Sequence, residues 1–295
     1  MPEVLSTSQI ESYEKDGYLV LEGVMPAEVL ADIRSEIARF EEEARGMTAS
    51  NDRLELEDGH SANDPRVRRI RLPHTISEVV RDLMYTDHIL APARDLIGPD
   101  LRLHTTKLNM KSPENGAAIE WHQDYAFYPH TNDDIMAIGV VIDEMQSENG
   151  PLMVYPGSHR GPVYDHHVNG VFAGGFIPEE VGLNHNDAVE LTGPAGSISI
   201  HHGRIVHGSA MNTSDRSRRI LFYELMAADA FPIFGSLTKW NGIEDYDTRM
   251  LCGSPTLTPR LKDIPIRIPQ PQPDVPVSIY EIQKGLKHSG FDFAS

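Results

Sequence analysis

The sequence predicts a mainly β fold of the sandwich or jelly-roll class with flanking α-helices. Apolar residues recur at helical spacing before residue 100, and short extended runs separated by Gly, Pro and Asn follow it. Residues 253–278 are rich in proline and predict an extended arm lying on the domain. We therefore expect one domain over residues 1–295, with a helical part at about 8–97, a β core at about 100–228 and an arm at about 229–295.

The helical part is expected to begin with a short helix. Ser8 and Glu11 have the spacing of a capping box, and Gly17 is typical of a helix end. "YLVLEG" predicts a strand, and Pro26 is typical of the start of a longer helix. The apolar residues of that helix recur at helical spacing: Val29, Leu30, Ile33, Ile37 and Phe40.

Two further segments precede the β core. Residues 47–68 are polar and acidic and predict a surface loop, and residues 76–97 predict two short amphipathic helices. The core strands are then predicted in "LRLHTTKLNMK", "IMAIGVVID", "LMVY", "GSISIHH" and "RRILFYELM".

Composition restricts the partners and the compartment. The net charge of −18 argues against nucleic acid or an anionic membrane as the main partner. No apolar run approaches the ~20 residues of a membrane span, and the polar start shows no secretory signal. The single cysteine, Cys252, excludes an internal disulfide and suits a reducing cytoplasm. These features favour a cytoplasmic protein, and they say little about a small-molecule substrate.

Two His-x-Asp pairs are candidate metal ligands. In "EWHQDYAFYPH", His122 and Asp124 point to the same side of an extended segment, where a metal ion or a solvated turn would suit them. His185 and Asp187 have the same spacing, but Asp187 lies only 20 residues before His207. A jelly roll needs several strands between paired and distal ligands, so we select the first pair.

His207 and Arg218 complete the candidate site. Two histidines and one carboxylate are typical of non-haem iron(II) oxygenases, with positions left open for other ligands. Arg218 follows His207 by eleven residues and enters an apolar strand. An arginine buried there needs an anion, and its planar fork matches a carboxylate such as that of an α-keto acid. An exposed strand arginine is the alternative.

The chain resembles the phytanoyl-CoA dioxygenase family of iron(II)- and 2-oxoglutarate-dependent oxygenases. The resemblance covers about residues 8–226 and depends on "KLNMK", "WHQDYAFYP", "ENGPLMVYPGSHRG" and "HGSAMNTSDRSRR". It implies a double-stranded β-helix (cupin-like) core, iron on His122, Asp124 and His207, and 2-oxoglutarate on Arg218 with Ser209 beside it.

The same resemblance implies less specific assignments. Thr105 and Lys107 lie on a strand that contacts 2-oxoglutarate in family members, although a surface lysine is the alternative for Lys107. Where some members have a tryptophan beside the cosubstrate, this chain is expected to have Val140. His159 is expected to support the fold. Three aromatic residues are expected either to line the substrate pocket or to pack in the core: Tyr125, Phe127 and Tyr128.

The family implies oxidation of an unactivated C–H bond of a small metabolite, by hydroxylation, desaturation or cyclisation, with O2 consumed and succinate and CO2 released. An inert metal-binding jelly roll and a zinc hydrolase are the alternatives. The prime substrate and the oligomeric state are not identified. Residues 125–130, 164–178 and 230–250 are expected to select the substrate, and 164–178 and the arm are expected to cover the pocket.

Overall fold

The computed structural model describes residues 2–114, 116–234, 241–274 and 278–291. Its helices are α1 (Thr7–Asp16), α2 (Ala27–Ala44), α3 (Glu78–Leu83), α4 (Asp87–Ile97), α5 (Asp124–Phe127), α6 (Ile243–Asp247) and α7 (Ile279–Gln283). None of these described helices combines the length and the apolar character that crossing a membrane requires.

The strands carry the core. In chain order they are β1 (Tyr18–Leu21), β2 (Leu54–Leu56), β3 (Val67–Arg71), β4 (Leu101–Lys111), β5 (Ile119–His122), β6 (Ile135–Val141), β7 (Leu152–Val154), β8 (His167–Val168), β9 (Val171–Phe172), β10 (Val189–Leu191), β11 (Ile198–His202), β12 (His207–Ser209), β13 (Arg218–Ala227) and β14 (Met250–Cys252). The five predicted core strands correspond to β4, β6, β7, β11 and β13.

Two antiparallel sheets form the jelly-roll core that the sequence predicts. The larger sheet has the order β1-β11-β6-β13-β4-β3-β2, and β14 pairs with β4. The smaller sheet has the order β10-β7-β12-β5, and β8 pairs with β9 in a separate ribbon. The pairings within both sheets are antiparallel.

The larger sheet separates two environments, as the alternation along β13 shows. Leu221 and Tyr223 belong to the main apolar cluster, which includes the buried face of α2. Ile220 and Phe222 belong to a different cluster on the inner face of the sheet. The inner face is therefore where the polar site residues of the same strands can meet.

The helical part differs from its prediction in two places. The N-cap of α1 is Ser6, in a capping box with Gln9, whereas Gly17 ends the helix in the left-handed conformation as predicted. The predicted loop 47–68 contains β2 and the first residues of β3. A three-residue strand is too short to show an alternating pattern, so its burial was not visible in the sequence.

The C-terminal arm contacts the β8–β9 ribbon and leads to α7. The N–H of Phe172 donates to the carbonyl of Pro271 at 2.9 Å. The Gln283 side chain on α7 donates to the carbonyl of Gly174 at 2.9 Å and accepts from the N–H of Glu120 at 3.0 Å. These bonds fix α7 beside β5. Residues 235–240, 275–277 and 292–295, which belong to the predicted arm and partly to its substrate-selecting stretch, lie outside the described residues.

Candidate metal centre

Three of the predicted site residues come together where β5, α5 and β12 meet. His122 ends β5, Asp124 begins α5 and His207 begins β12. The pairing of β5 with β12 places His122 directly opposite His207. One possible ligand atom from each of the three buried residues lies within 4.8 Å of the others. The three side chains can therefore reach a single metal ion.

Backbone carbonyls set the orientation of both imidazole rings. Nδ1 of His122 is 2.7 Å from the carbonyl oxygen of Glu120, and Nδ1 of His207 is 3.0 Å from that of Ile205. Because a carbonyl only accepts, each Nδ1 carries the hydrogen and each Nε2 keeps its lone pair. These Nε2 atoms lie 3.7 and 3.9 Å from the Asp124 carboxylate. The donor set of two imidazoles and one carboxylate fits iron(II).

Gln123, between the two ligands of the motif, fixes the turn. Its side chain is fully buried, and its amide nitrogen donates to the carbonyls of Pro162 and Arg204 at 3.1 and 2.7 Å. Its carbonyl oxygen accepts from the N–H of Tyr164 at 2.8 Å. Gln123 thereby ties three backbone segments to the metal centre. Sequence reasoning missed it, because the middle residue of a His-x-Asp pattern carries no signal of its own.

The Asp124 carboxylate is negatively charged although it is buried. Lys107 Nζ lies 3.7 Å from Oδ1, and His201 Nε2 lies 3.6 Å from Oδ2. Burial raises the pKa of Asp124, but Lys107 and the neighbouring histidines together lower it by more, so the pKa lies well below its ordinary value. Asp124 is therefore ionised at neutral pH, as a carboxylate metal ligand must be.

An inner cavity adjoins the metal centre and is lined by both ligand histidines, Ser209 and Arg218. Arg218 is only 2% exposed, and its Nε donates to the carbonyl of Gly150 at 3.1 Å. No carboxylate of the described residues forms an ion pair with it. Burial lowers the pKa of Arg218 to about 10, so the side chain stays charged at neutral pH. The inner cavity thus contains a buried cation that no carboxylate of the described residues neutralises.

The neighbouring arginine has a different environment. Nε and Nη2 of Arg219 are each 2.7 Å from an oxygen of the Asp143 carboxylate. Successive residues of a strand face opposite sides of the sheet, so only one of the two can enter the core. The predicted register, with Arg218 inward, is confirmed.

An outer cavity of about 610 Å³ adjoins this site and is lined by Thr105, Asp124, Phe127 and Tyr128. The inner and outer cavities share three lining residues: Arg69, Lys107 and Ile279. Thr105, expected beside 2-oxoglutarate, lines only the outer cavity. Thr105 therefore lies on the wall of the outer cavity and not beside Arg218.

Tyr125 takes the core-packing alternative, and Val140 is not the inward residue of its strand. Tyr125 lines neither cavity; it belongs to a separate apolar cluster, where its hydroxyl donates to the carbonyl of His130 at 2.5 Å. Neighbouring residues in a helical turn point about 100° apart, so Tyr125 faces away when Asp124 faces the metal centre. Val140 packs in the main apolar cluster with the helices, and the inward residue of that strand is Val141.

The other candidate histidines are at different places in the fold. His185 and Asp187 form a short 3-10 turn in which Asp187 is exposed. His159 is buried, with its Nε2 3.2 Å from the carbonyl oxygen of Glu14 in α1. Neither histidine belongs to the group of possible metal ligands among the described residues.

Glu224 is a site residue that sequence reasoning missed. It is buried on the inner face of β13 and forms an ion pair with Lys107. The hydroxyl of Tyr128 donates to its other carboxylate oxygen at 2.8 Å. A signal was present, because Glu224 interrupts an apolar strand six residues after Arg218, which places both on the same face.

The two predicted covering segments contact the wall of the outer cavity. Phe172 packs edge to face against Phe127, with ring centroids 5.1 Å apart. Ile279 and Ile282 on α7 line the cavity directly. Both segments are therefore in position over the site, and their movement stays a prediction.

Comparisons with known proteins agree with this geometry. Residues 13–220 match the family model described as phytanoyl-CoA dioxygenase (PhyH). A probable alpha-ketoglutarate-dependent hypophosphite dioxygenase of Stutzerimonas stutzeri is 35% identical over 284 residues, which cover 94% of this chain and 97% of that protein.

Two more distant relatives cover less of the chain. An L-proline trans-4-hydroxylase of Streptomyces griseoviridis is 33% identical over 230 residues, covering 71% of this chain and 82% of that protein. The iron-bound crystal structure of EctD from S. alaskensis has a TM-score of 0.63 at 25% identity, covering 76% of this chain and 77% of that one.

Proposed function

Because the chain belongs to the phytanoyl-CoA dioxygenase family and is an iron(II)- and 2-oxoglutarate-dependent oxygenase, we propose the following role in the reaction for each residue of its site. His122, Asp124 and His207 hold the iron, and Arg218 and Ser209 hold the distal carboxylate of 2-oxoglutarate. The converging ligand atoms and the unpaired buried guanidinium support this division.

The bound iron and 2-oxoglutarate supply one reaction: O2 and the keto acid yield succinate and CO2, and one oxygen atom enters an X–H bond of the substrate to give X–OH. The chain contributes orientation and charge. Lys107 lies between Asp124 and Glu224 and neutralises part of their charge. The Tyr128 hydroxyl holds Glu224 from the other side, so that Lys107 keeps its position beside the outer cavity.

We propose that the substrate is a small oxyanion, with hypophosphite as the first candidate. The hypophosphite dioxygenase relative matches 94% of this chain and 97% of its own length. Oxidation of hypophosphite would convert one P–H bond to P–OH and release phosphite, succinate and CO2. C–H hydroxylation of a small amino acid is the second candidate, because the L-proline hydroxylase is 33% identical.

The observation that carries the oxyanion proposal is the charge of the site. Three cations line the inner cavity, Arg69, Lys107 and Arg218, and two carboxylates lie beside Lys107, Asp124 and Glu224. Iron(II) and the 2-oxoglutarate dianion cancel each other. Among the described cations that line the two cavities, Lys107 pairs with Glu224 and Arg71 with Glu55. With Arg218 assigned to 2-oxoglutarate, one of these described cations, Arg69, is left without a carboxylate, and it would attract a monoanion such as hypophosphite.

We also propose a cytoplasmic location, with neither nucleic acid nor a membrane as a partner. The net charge of −18 and the single free cysteine, Cys252, support this assignment. A reducing compartment also keeps iron in the Fe(II) state that the reaction requires.

Succinate release with iron(II), 2-oxoglutarate and O2 tests the substrate. Hypophosphite, L-proline and ectoine are compared at equal concentration, with phosphite followed by phosphorus NMR and hydroxylated products by mass spectrometry. We expect hypophosphite alone to raise succinate release, with one phosphite formed per succinate. Stoichiometric hydroxyproline, with no effect of hypophosphite, would contradict the oxyanion proposal and favour the second candidate.

A further inference from the structure

Strand β3 carries three arginines in "VRRIR", close to α7. The pairing of β3 with β2 shifts register between Glu55 and Leu56, and Arg68 is the extra residue. Nη2 of Arg68 is 2.9 Å from the Glu281 carboxylate, and its Nε is 3.8 Å from that of Glu55. Nε of Arg71 is 2.5 Å from the same Glu55 carboxylate. The two nearby carboxylates are thus occupied by two of the three arginines.

Arg69, the third of these arginines, has no such partner. Its side chain forms no hydrogen bond or ion pair with any described residue, and its Nε is buried. Nevertheless Arg69 lines both the inner and the outer cavity. A half-buried guanidinium without an anion is unfavourable, because it loses hydration and gains nothing in return. The position is therefore suited to an anion that arrives with a ligand.

The other cations of the site are already engaged or assigned. Lys107, which also lines both cavities, is held by Glu224 and lies beside Asp124. Arg218 lines the inner cavity only, and the proposed function assigns it to the distal carboxylate of 2-oxoglutarate. Arg69 is the cation of the described site that combines access from the outer cavity with a free guanidinium.

We propose that Arg69 holds the oxyanion of the prime substrate at the boundary of the two cavities. The planar fork of a guanidinium binds two oxygens of one group, so a phosphinate or a carboxylate fits it better than a neutral group does. This inference rests on the proposed function, and it makes Arg69 the residue that selects substrates by charge.

The test measures binding, so that it does not depend on turnover. Mn(II) replaces iron under anaerobic conditions, and calorimetry follows 2-oxoglutarate first and then hypophosphite or L-proline. Removal of one partner of a buried, hydrogen-bonded charge pair should weaken anion binding roughly 30-fold or more in Arg69→Gln. The affinity for 2-oxoglutarate should change by less than about threefold, because Arg218 is intact.

Two further variants sharpen the result. Arg69→Lys restores the charge without the fork and should recover part of the anion affinity. Arg66→Gln removes a surface arginine of the same segment, whose Nε is 2.7 Å from Asp64, and should bind both ligands as the wild type does. Thermal melting checks that all variants are folded.

The outcomes are distinguishable. Loss of 2-oxoglutarate affinity in Arg69→Gln, with anion binding retained, would assign Arg69 to the cosubstrate and overturn the proposal. Unchanged binding of both ligands, or a wild type that binds neither anion, would overturn it as well. If the wild type binds L-proline in place of hypophosphite, loss of L-proline in Arg69→Gln supports the role of Arg69 while the proposed substrate fails. Absence of succinate release in the iron-loaded wild type would contradict the proposed function alone.

Discussion

The chain contains the pattern His-x-Asp twice, and the two copies lie in different structural environments. His122 and Asp124 are buried where β5 passes into α5, and His207 on the adjacent strand lies opposite. Asp187 of the second copy is exposed in a 3-10 turn. The residue types and their spacing are identical. The difference indicates that the pattern alone does not make a candidate metal site. It also needs a ligand on the strand opposite the pair and hydrogen bonds that orient the imidazole rings.

His185 of the second copy nevertheless packs against the strand that carries His122 of the first copy. The ring of His185 meets that of Trp121 edge to face, with centroids 6.0 Å apart, and Trp121 precedes His122 on β5. Trp121 is fully buried and also stacks on Phe291 at 5.0 Å. His185 is therefore part of the wall behind the metal centre.

The largest expected effect separates the two copies. Alanine at Asp124 or His207 removes a proposed metal ligand and should reduce succinate release to the metal-free background, at least about 10²–10³-fold. Alanine at Asp187 should leave most of the activity, because an exposed carboxylate is removed at little cost. Succinate release and bound Mn(II) are measured for all three variants. Near-normal activity in His207→Ala would show that the metal site is elsewhere.

The next largest effect is expected in 2-oxoglutarate affinity, where alanine variants of the neighbouring residues Arg218 and Arg219 are compared. Arg218→Ala leaves the cosubstrate carboxylate without its partner, at a cost of roughly 3–5 kcal/mol, or about two to three orders of magnitude in 2-oxoglutarate affinity. Arg219→Ala breaks a half-buried pair with Asp143 on the other face of the sheet and should lower stability while the affinity changes little. The 2-oxoglutarate dependence of succinate release and thermal melting distinguish the two effects. A large affinity loss in Arg219→Ala would contradict the assignment.

The middle residues of the two motifs give an intermediate effect. Gln123 holds three backbone groups around the metal centre, whereas Asn186 is exposed in the second copy. Gln123→Ala should weaken metal binding about 10–100-fold, as expected for a residue that orients metal ligands. Asn186→Ala should not alter metal binding. Mn(II) affinity is measured by titration of both variants. Equal Mn(II) affinities would show that the turn keeps its conformation without the Gln123 side chain.

A part of the fold or of the site could be predicted from the sequence when its strand is long enough to show an alternating pattern. Long strands such as β4 and β13 show their alternation, so the core and the inward register of Arg218 were predictable. The three residues of β2 show none, so the predicted surface loop 47–68 did not include this buried strand. The role of Arg69 could not be predicted, since it depends on which carboxylates its neighbours occupy, and Glu281 is more than 200 residues away along the chain.

The smallest expected effect concerns the two tyrosines that follow Asp124. Tyr128 lines the outer cavity and its hydroxyl donates to Glu224, whereas the hydroxyl of Tyr125 donates to a backbone carbonyl outside both cavities. Each change to phenylalanine removes one buried hydrogen bond and should lower stability by about 0.5–1.5 kcal/mol. Only Tyr128→Phe also loosens the Glu224–Lys107 pair, so only this variant should raise the KM for the prime substrate, by roughly 2- to 10-fold. Thermal melting and the substrate dependence of succinate release are measured together. If both variants lose stability and neither changes KM, then Tyr128 is a packing residue like Tyr125, and its hydroxyl has no part in positioning the prime substrate.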